Sequence, residues 1–198
     1  VDVQNDFLPG GALAVPDGDE ILPVVNRLAG VFTNVVLTQD WHPPGHASFA
    51  SAHAGAAAFD VIAMPYGEQR LWPDHCVQGT PGARLHQGLD QSNAFAILRK
   101  GVNPGVDSYS GFVEADGRTT TGLEALLRAR GIARVFACGL ATDYCVAFTA
   151  LDARAAGFET FVIEDACRGI DAAGSLERAW ERMTAAGITR IEAGQISR

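Results

Sequence analysis

Cys145 is the residue of this chain best suited to covalent chemistry. It lies in Gly139-Leu140-Ala141-Thr142-Asp143-Tyr144-Cys145, where the apolar run Val135-Phe136-Ala137-Cys138 gives way to a helical pattern. In the first turn of a helix, unpaired N–H groups and the helix dipole stabilise a thiolate. The same N–H groups can hold the oxyanion of a tetrahedral intermediate. The competing assignment is a small buried core residue, the commonest fate of a free cysteine. A cysteine nucleophile needs a base, usually histidine, yet no histidine lies near a strand end except His42 and its neighbours. Asp2 is the carboxylate better placed to take the thiol proton. Lys100 would keep Asp2 ionised and stabilise developing negative charge. A turn residue and a solvated strand-end charge are the plain alternatives for these two.

A second constellation has metal-ligand character: Asp40-x-His42-x-x-x-His46, with His75 further on. Imidazole and carboxylate at short spacing suit one divalent transition metal ion, Zn, Fe or Mn, and three protein ligands leave positions open. The spacing is not a common zinc signature, and a loop with scattered surface histidines would also explain it. His53 and His86 have no partner pattern and read as surface residues. Cys138 falls inside a strand and reads as core; Cys76 and Cys167 read as structural.

Both groups need a scaffold that brings distant residues together. Short apolar runs at Val35–Leu37, Ala94–Leu98, Val135–Cys138 and Thr160–Ile163 read as buried strands. Between them lie helical patterns. Asp19 can cap one that carries Ile21, Val25 and Leu28 on one face. Thr121 can cap a second, with Leu123, Leu126 and Leu127 inward and Gly131 as its stop. A third runs from about Thr142 to Ala156 and ends at Gly157. A fourth runs from about Asp171 to Ala186 and ends at Gly187, with a short last strand at Ile188–Ile191. This alternation specifies an α/β fold: a three-layer α/β/α arrangement around a mostly parallel sheet. The stretch from Trp41 to Asn93 has no clean period, holds all five histidines, and is expected to be irregular and functional. The whole chain, residues 1–198, reads as one domain. Ligands of open parallel sheets bind beyond the carboxyl ends of the strands. Asp2, Asp40, His42, Lys100 and Cys145 all follow predicted strands and should converge there.

Composition excludes several functions. A net charge of −8 disfavours nucleic acid and anionic membranes as partners, which leaves a small molecule. No apolar run approaches the ~20 residues that span a bilayer, and no export signal is visible. Four cysteines without a CxxC pair suit a reducing cytoplasm. The chain begins at Val1 without a methionine, so Val1-Asp2-Val3 reads as the end of a strand whose start lies upstream.

Six segments, in order, resemble the nicotinamidase and pyrazinamidase family of the isochorismatase-like cysteine hydrolase superfamily. They are Val1-Asp2-Val3-Gln4-Asn5-Asp6-Phe7, Asp40-Trp41-His42-Pro43-Pro44-Gly45-His46, Trp72-Pro73-Asp74-His75-Cys76-Val77, Lys100-Gly101, Tyr109-Ser110-Gly111-Phe112 and Gly139 through Val146. The resemblance implies Cys145 as nucleophile, Asp2 as general base and Lys100 as third member of a triad. It implies Asp40, His42 and His75 as metal ligands, with His46 as a fourth or one acting through water. Phe7, Trp72 and Tyr109 would wall a nicotinamide pocket. Ala141 and Cys145 would supply oxyanion-hole N–H groups, with a cis peptide between Leu140 and Ala141. The implied reaction is hydrolysis of nicotinamide to nicotinate and ammonia in NAD salvage, with pyrazinamide as a further substrate. Related enzymes are often homo-oligomers. Departures are the start at Val1, which bears on Asp2, and Pro104-Gly105-Val106, which borders the pocket. Two other functions fit the same residues: an amidohydrolase of carbamoyl or ureido groups, and a non-catalytic metal or redox-thiol protein on this fold.

Overall fold

The computed structural model describes residues 1–196. Among the described residues there are seven strands and four α-helices, and outside the 41–93 stretch strand and helix alternate as the sequence periods predict. The parallel ladders are β1 (Val35–Asp40) with β4 (Ala94–Lys100), and β5 (Arg134–Leu140) with β6 (Glu159–Arg168) and β7 (Thr189–Ile191). The expected first strand is not a regular strand. Val1–Val3 instead lies between the two ladders. The Val1 amino group donates to Cys138 O at 2.7 Å, Leu140 N–H donates to Val1 O at 3.0 Å, and Asp2 N–H donates to Thr38 Oγ1 at 3.1 Å. This short segment joins β1 to β5. It closes one end of an apolar cleft of about 470 Å³ lined by Val25, Leu28, Phe32, Leu37, Leu127 and Phe136.

The helices are α1 (Leu22–Ala29), α2 (Leu123–Ala129), α3 (Ala147–Ala155) and α4 (Ser175–Ala185). In and just before α1, the predicted inward stripe Ile21, Val25 and Leu28 is buried, each side chain contributing about 1.5–3 kcal/mol of apolar burial. Its start differs from expectation. Asp19 makes no capping bond and sits in a 3-10 turn, Gly18–Ile21, that leads into the helix. Thr121 does cap α2: its Oγ1 accepts the Leu123 N–H at 3.2 Å, although Gly122 intervenes. The third helical pattern divides into a π-turn, Thr142–Val146, and α3. The fourth begins later than expected, because residues 171–174 form a turn in which Asp171 and Ala173 have positive φ. Its anchor is buried Asp143, which accepts hydrogen bonds from Ile170 N–H, Asp171 N–H and the Ser175 hydroxyl.

The irregular stretch contains one regular unit that the sequence did not announce, the antiparallel hairpin β2 (Val61–Met64) and β3 (Gly67–Arg70). Its strands give no period-2 signal because β2 is apolar throughout and β3 carries no apolar residue beyond Gly67, with half of the eight positions exposed. Isolated bridges at His42–Val77 and Phe49–Trp72 tie parts of the stretch to one another, Gln4–Leu85 ties it to the N-terminal segment, and Trp41 N–H donates to Lys100 O at the end of β4. Among the described residues no helix is long and apolar enough to cross a membrane.

Gly139 carries the junction of the two ladders. Its φ is +122°, and a Cβ there would lie 2.0 Å from Val1 O. Gly139→Ala should therefore destabilise the protein by about 2–4 kcal/mol in urea unfolding. A loss under about 0.5 kcal/mol would show that the Val1 segment is not packed against β5 in solution.

Candidate active site

Lys100 ends β4 and is 1% exposed. Its ammonium lies 2.9 Å from Asp2 Oδ2, 2.5 Å from Asp40 Oδ1 and 3.3 Å from Cys145 Sγ, and it donates to Ser108 O at 2.8 Å. Burial alone would lower the Lys100 pKa, but Asp2, Asp40 and Cys145 hold it well above the ordinary value. Lys100 is therefore a fixed cation. Asp2, in a left-handed backbone conformation, is held by Thr38, whose hydroxyl donates to Asp2 Oδ1 at 2.5 Å. Its other oxygen, Oδ2, has no hydrogen-bond partner apart from the off-axis ion pair with Lys100. That leaves Oδ2 able to accept a proton.

Cys145 sits in the π-turn after β5, buried beside these groups. Burial pushes its thiol well above the ordinary range; Lys100 pulls it down, and Asp2 and Asp40 push it further up. This departs from the expectation that the helix start would favour a resting thiolate. The thiol is the ground-state form, because two carboxylates and a dry site outweigh one ammonium. Attack must therefore be coupled to proton transfer. The cis peptide between Leu140 and Ala141 is present, and Ala141 lines the cavity with Cys145.

Asp40 ends β1 and is positioned through its backbone: Gln4 Oε1 accepts Asp40 N–H at 2.7 Å, and Gln4 Nε2 donates to Asp40 O at 2.8 Å. Burial would raise the Asp40 carboxyl, but Lys100 and His42 hold it well below the usual carboxylate range. His42 Nδ1 faces Gly101 O at 3.0 Å, and His75 Nδ1 faces Pro73 O at 2.8 Å. A ring nitrogen that faces a carbonyl carries the proton, so Nε2 of each ring has a lone pair when that ring is neutral. Burial lowers the His42 pKa, but Asp40, 3.7 Å from its Nε2, and Asp107 raise it on balance, so this ring must shed a proton before it can serve as a ligand. Burial, then the charge of His42, lowers the His75 pKa to about 4, so this ring is neutral. The donor atoms of Asp40, His42 and His75 lie within 4.8 Å of one another. One carboxylate and two imidazoles with oriented tautomers make a donor set that fits a divalent transition metal. Gly101 makes this possible, since a Cβ there would lie 2.4 Å from the His42 ring.

His46 differs. Its Nε2 donates to Asn103 O at 2.9 Å, and its Nδ1 accepts from Ser48 N–H at 3.2 Å and faces Ser48 Oγ at 2.8 Å. Both ring nitrogens are occupied, and His46 is absent from the Asp40–His42–His75 group. It ties the metal loop to the 103–106 segment. His53 and His86 are half-buried and stand apart from the site; His53 Nε2 bonds Ala47 O. Cys76 and Cys167 are buried and Cys138 half-buried, all as free thiols.

The cavity between the two groups is narrow. Phe7, Trp72 and Tyr109 line it as expected, and Leu13, Tyr144 and Ile170 complete its apolar surface. Trp72 Nε1 donates to Tyr109 Oη at 3.0 Å, and the Trp72 and Tyr144 rings meet edge to face at 4.8 Å. Two polar residues escaped the sequence analysis. Asp107 lines the cavity, and buried Gln69 donates to Asp107 Oδ2 at 2.8 Å and to Tyr109 Oη at 3.1 Å. Asp107 stands two residues before Tyr109, a spacing that places both on one side of an extended chain. Gln69 lies on β3, and no local signal marks it. A thiol, an open carboxylate oxygen and a fixed cation against an aromatic cavity can together attack a carbonyl carbon and move its proton.

Lys100→Met should destabilise the protein by about 3–5 kcal/mol in thermal unfolding, because it leaves Asp2 and Asp40 buried without a counter-charge. Retained stability would mean that water reaches these carboxylates. The Cys145 thiol makes a second prediction. Its alkylation rate should still be climbing at pH 9.0, the ordinary thiol value. A plateau below that pH would reveal a preformed thiolate.

The isochorismatase domain model matches residues 1–195. A nicotinamidase of Acinetobacter baylyi is 54% identical over 196 residues, covering 99% of this chain and 92% of that protein. The structure of a nicotinamidase and pyrazinamidase from Acinetobacter baumanii superposes with a TM-score of 0.97 at 56% identity, covering 98% of this chain and 93% of that one. A pyrazinamidase of Pyrococcus horikoshii, in complex with zinc, superposes with a TM-score of 0.78 at 40% identity over 96% of this chain and 95% of that one. With this coverage and the three-layer parallel architecture, the chain belongs to the isochorismatase-domain family.

Proposed function

We propose that this protein is a nicotinamidase, a cysteine amidohydrolase that converts nicotinamide to nicotinate and ammonia, and that it also hydrolyses pyrazinamide. The observation that carries this reading is the Lys100 ammonium set among Asp2, Asp40 and Cys145 beside a cavity walled by Phe7, Trp72 and Tyr109. The names of the relatives agree with it. Such a complete constellation weighs against a non-catalytic binding protein.

In this reading the flat pyridine ring stacks among the aromatic walls. Cys145 Sγ attacks the carboxamide carbon as Asp2 Oδ2 takes the thiol proton. Negative charge moves onto the carbonyl oxygen, where the N–H groups of Ala141 and Cys145 receive it. Asp2 returns the proton to the amide nitrogen, the C–N bond breaks, and ammonia leaves a thioester on Cys145. Water then attacks the thioester, giving one proton to Asp2, which passes it back to the sulfur. Lys100 stays protonated throughout and stands as a counter-charge 2.9 Å from Asp2 Oδ2. Asp40, His42 and His75 hold one divalent ion, for which the zinc-bound relative makes zinc the first candidate. The ion supplies a Lewis-acid site for the ring nitrogen and so orients the substrate. His46, which shares a second candidate donor group with His42 and Asp107, serves as a fourth ligand or acts through water. The chain works as one hydrolase domain, and its four free thiols support a cytoplasmic location.

Purified protein should release ammonia from nicotinamide. Cys145→Ala should lower turnover by more than about 10⁴-fold while nicotinamide still binds. Activity above about a hundredth of the parent rate would exclude a covalent role for this thiol. Chelation should suppress hydrolysis while Cys145 remains alkylatable, as the ion orients substrate and does not make the nucleophile. Full activity in protein that elemental analysis shows to be metal-free would remove the ion from the mechanism.

A further inference from the structure

Asp107 is 2% exposed, and among the described residues no Lys or Arg pairs with it. Its Oδ1 accepts Ser108 N–H at 2.8 Å and its Oδ2 accepts Gln69 Nε2–H at 2.8 Å. A carboxylate has about four acceptor positions, so two neutral donors leave it unsaturated. It is also deliberately placed. His46 Nε2–H donates to Asn103 O, and Ala47 N–H donates to Pro104 O at 2.9 Å. These bonds zip the metal loop to the segment that delivers Asp107 into the cavity with Asp40, His42 and His75. The donor atoms of His42, His46 and Asp107 fall within 4.8 Å of one another. The carboxylate therefore stands as a second acid beside the rings of both His42 and His46.

The charges of the site fit this placement. Three buried acids, Asp2, Asp40 and Asp107, stand in the site with one buried ammonium, Lys100, and Asp107 lies on the side of His42 and His46, away from that ammonium's ion pairs. A dry cavity does not hold unbalanced charge without a large solvation cost. Asp40 is shared with Lys100 and cannot neutralise an ion by itself. We propose that Asp107 is a positioning residue for the divalent ion. It provides the second negative charge and accepts hydrogen bonds from water in the ion's open positions, without replacing Asp40, His42 or His75 as a ligand. The proposal rests on the metal reading above.

The test is zinc affinity, measured on metal-stripped protein by competition with a chromogenic chelator. Asp107→Asn should bind one zinc per chain at saturation but about 10–100-fold more weakly. Asp107→Glu, which restores the charge, should recover affinity to within about fivefold. Asp107→Ser gives a second loss-of-charge variant should Asn misfold. Gln69→Met, which removes the neutral donor to Asp107 together with the Gln69 bonds to Tyr66, Arg70 O and Tyr109 but changes no charge, should leave affinity within about threefold of the parent. In thermal unfolding, zinc should raise the midpoint of Asp107→Asn less than that of the parent, since stabilisation by a ligand follows its affinity. Zinc affinity of Asp107→Asn and Asp107→Ser within about threefold of the parent would overturn the proposal. Parent protein that binds no stoichiometric zinc, iron or manganese would instead overturn the metal reading on which it rests.

Discussion

The site is organised around one buried ammonium. Lys100 touches the candidate base Asp2, the candidate ligand Asp40 and the sulfur of Cys145. Each of these comes from a different part of the chain, and none could be ionised in so dry a place alone. The ammonium lets two carboxylates coexist a few ångströms apart, and the carboxylates in turn keep it charged. The candidate thiol site and the candidate metal site therefore share the Lys100 charge, through Asp40, and neither half can be altered electrostatically without the other responding.

That shared charge explains the state of the nucleophile. Many reactive cysteines are activated by a lowered pKa, but here the negative neighbours and the burial win over Lys100. A neutral thiol beside an open carboxylate oxygen is stable until an electrophilic carbon arrives. Such a site is protected from stray oxidation and alkylation, and its reactivity is called up by the substrate. The orientation of the imidazoles is set in the same region: backbone carbonyls of Gly101 and Pro73 accept from the Nδ1 side, so Nε2 of each ring turns inward, with its lone pair free in neutral His75.

Much of the precision comes from segments without regular structure. Gln4 reads both backbone groups of Asp40, Thr38 grips Asp2, and His46 fastens the 103–106 segment to the metal loop. A buried irregular segment must satisfy its backbone polar groups somewhere, and here side chains of the site's own flanks do so. This is why a stretch that lacks any period can still hold a rigid site.

The sequence by itself determined which residues stand at the ends of β1, β4 and β5, because buried parallel strands are continuous apolar runs and the reactive residues directly follow them. It also determined the helix faces, as with Ile21, Val25 and Leu28, and the motif order that marks the family. It mis-set local starts: Asp19 does not cap, and residues 171–174 turn before α4, because tertiary anchors such as Asp143 override a local cap. It could not show the β2–β3 hairpin, whose strands are half exposed and carry weak alternation. Nor could it decide whether a histidine in a short motif is a ligand. His42 and His46 look alike in sequence, but only the carbonyls and hydroxyl that meet each ring in space set which nitrogen keeps its lone pair. Asp107 and Gln69 were invisible for the same reason. Their partners lie about forty residues away in sequence or arrive through loops, and burial and unbalanced charge are properties of the folded cavity alone.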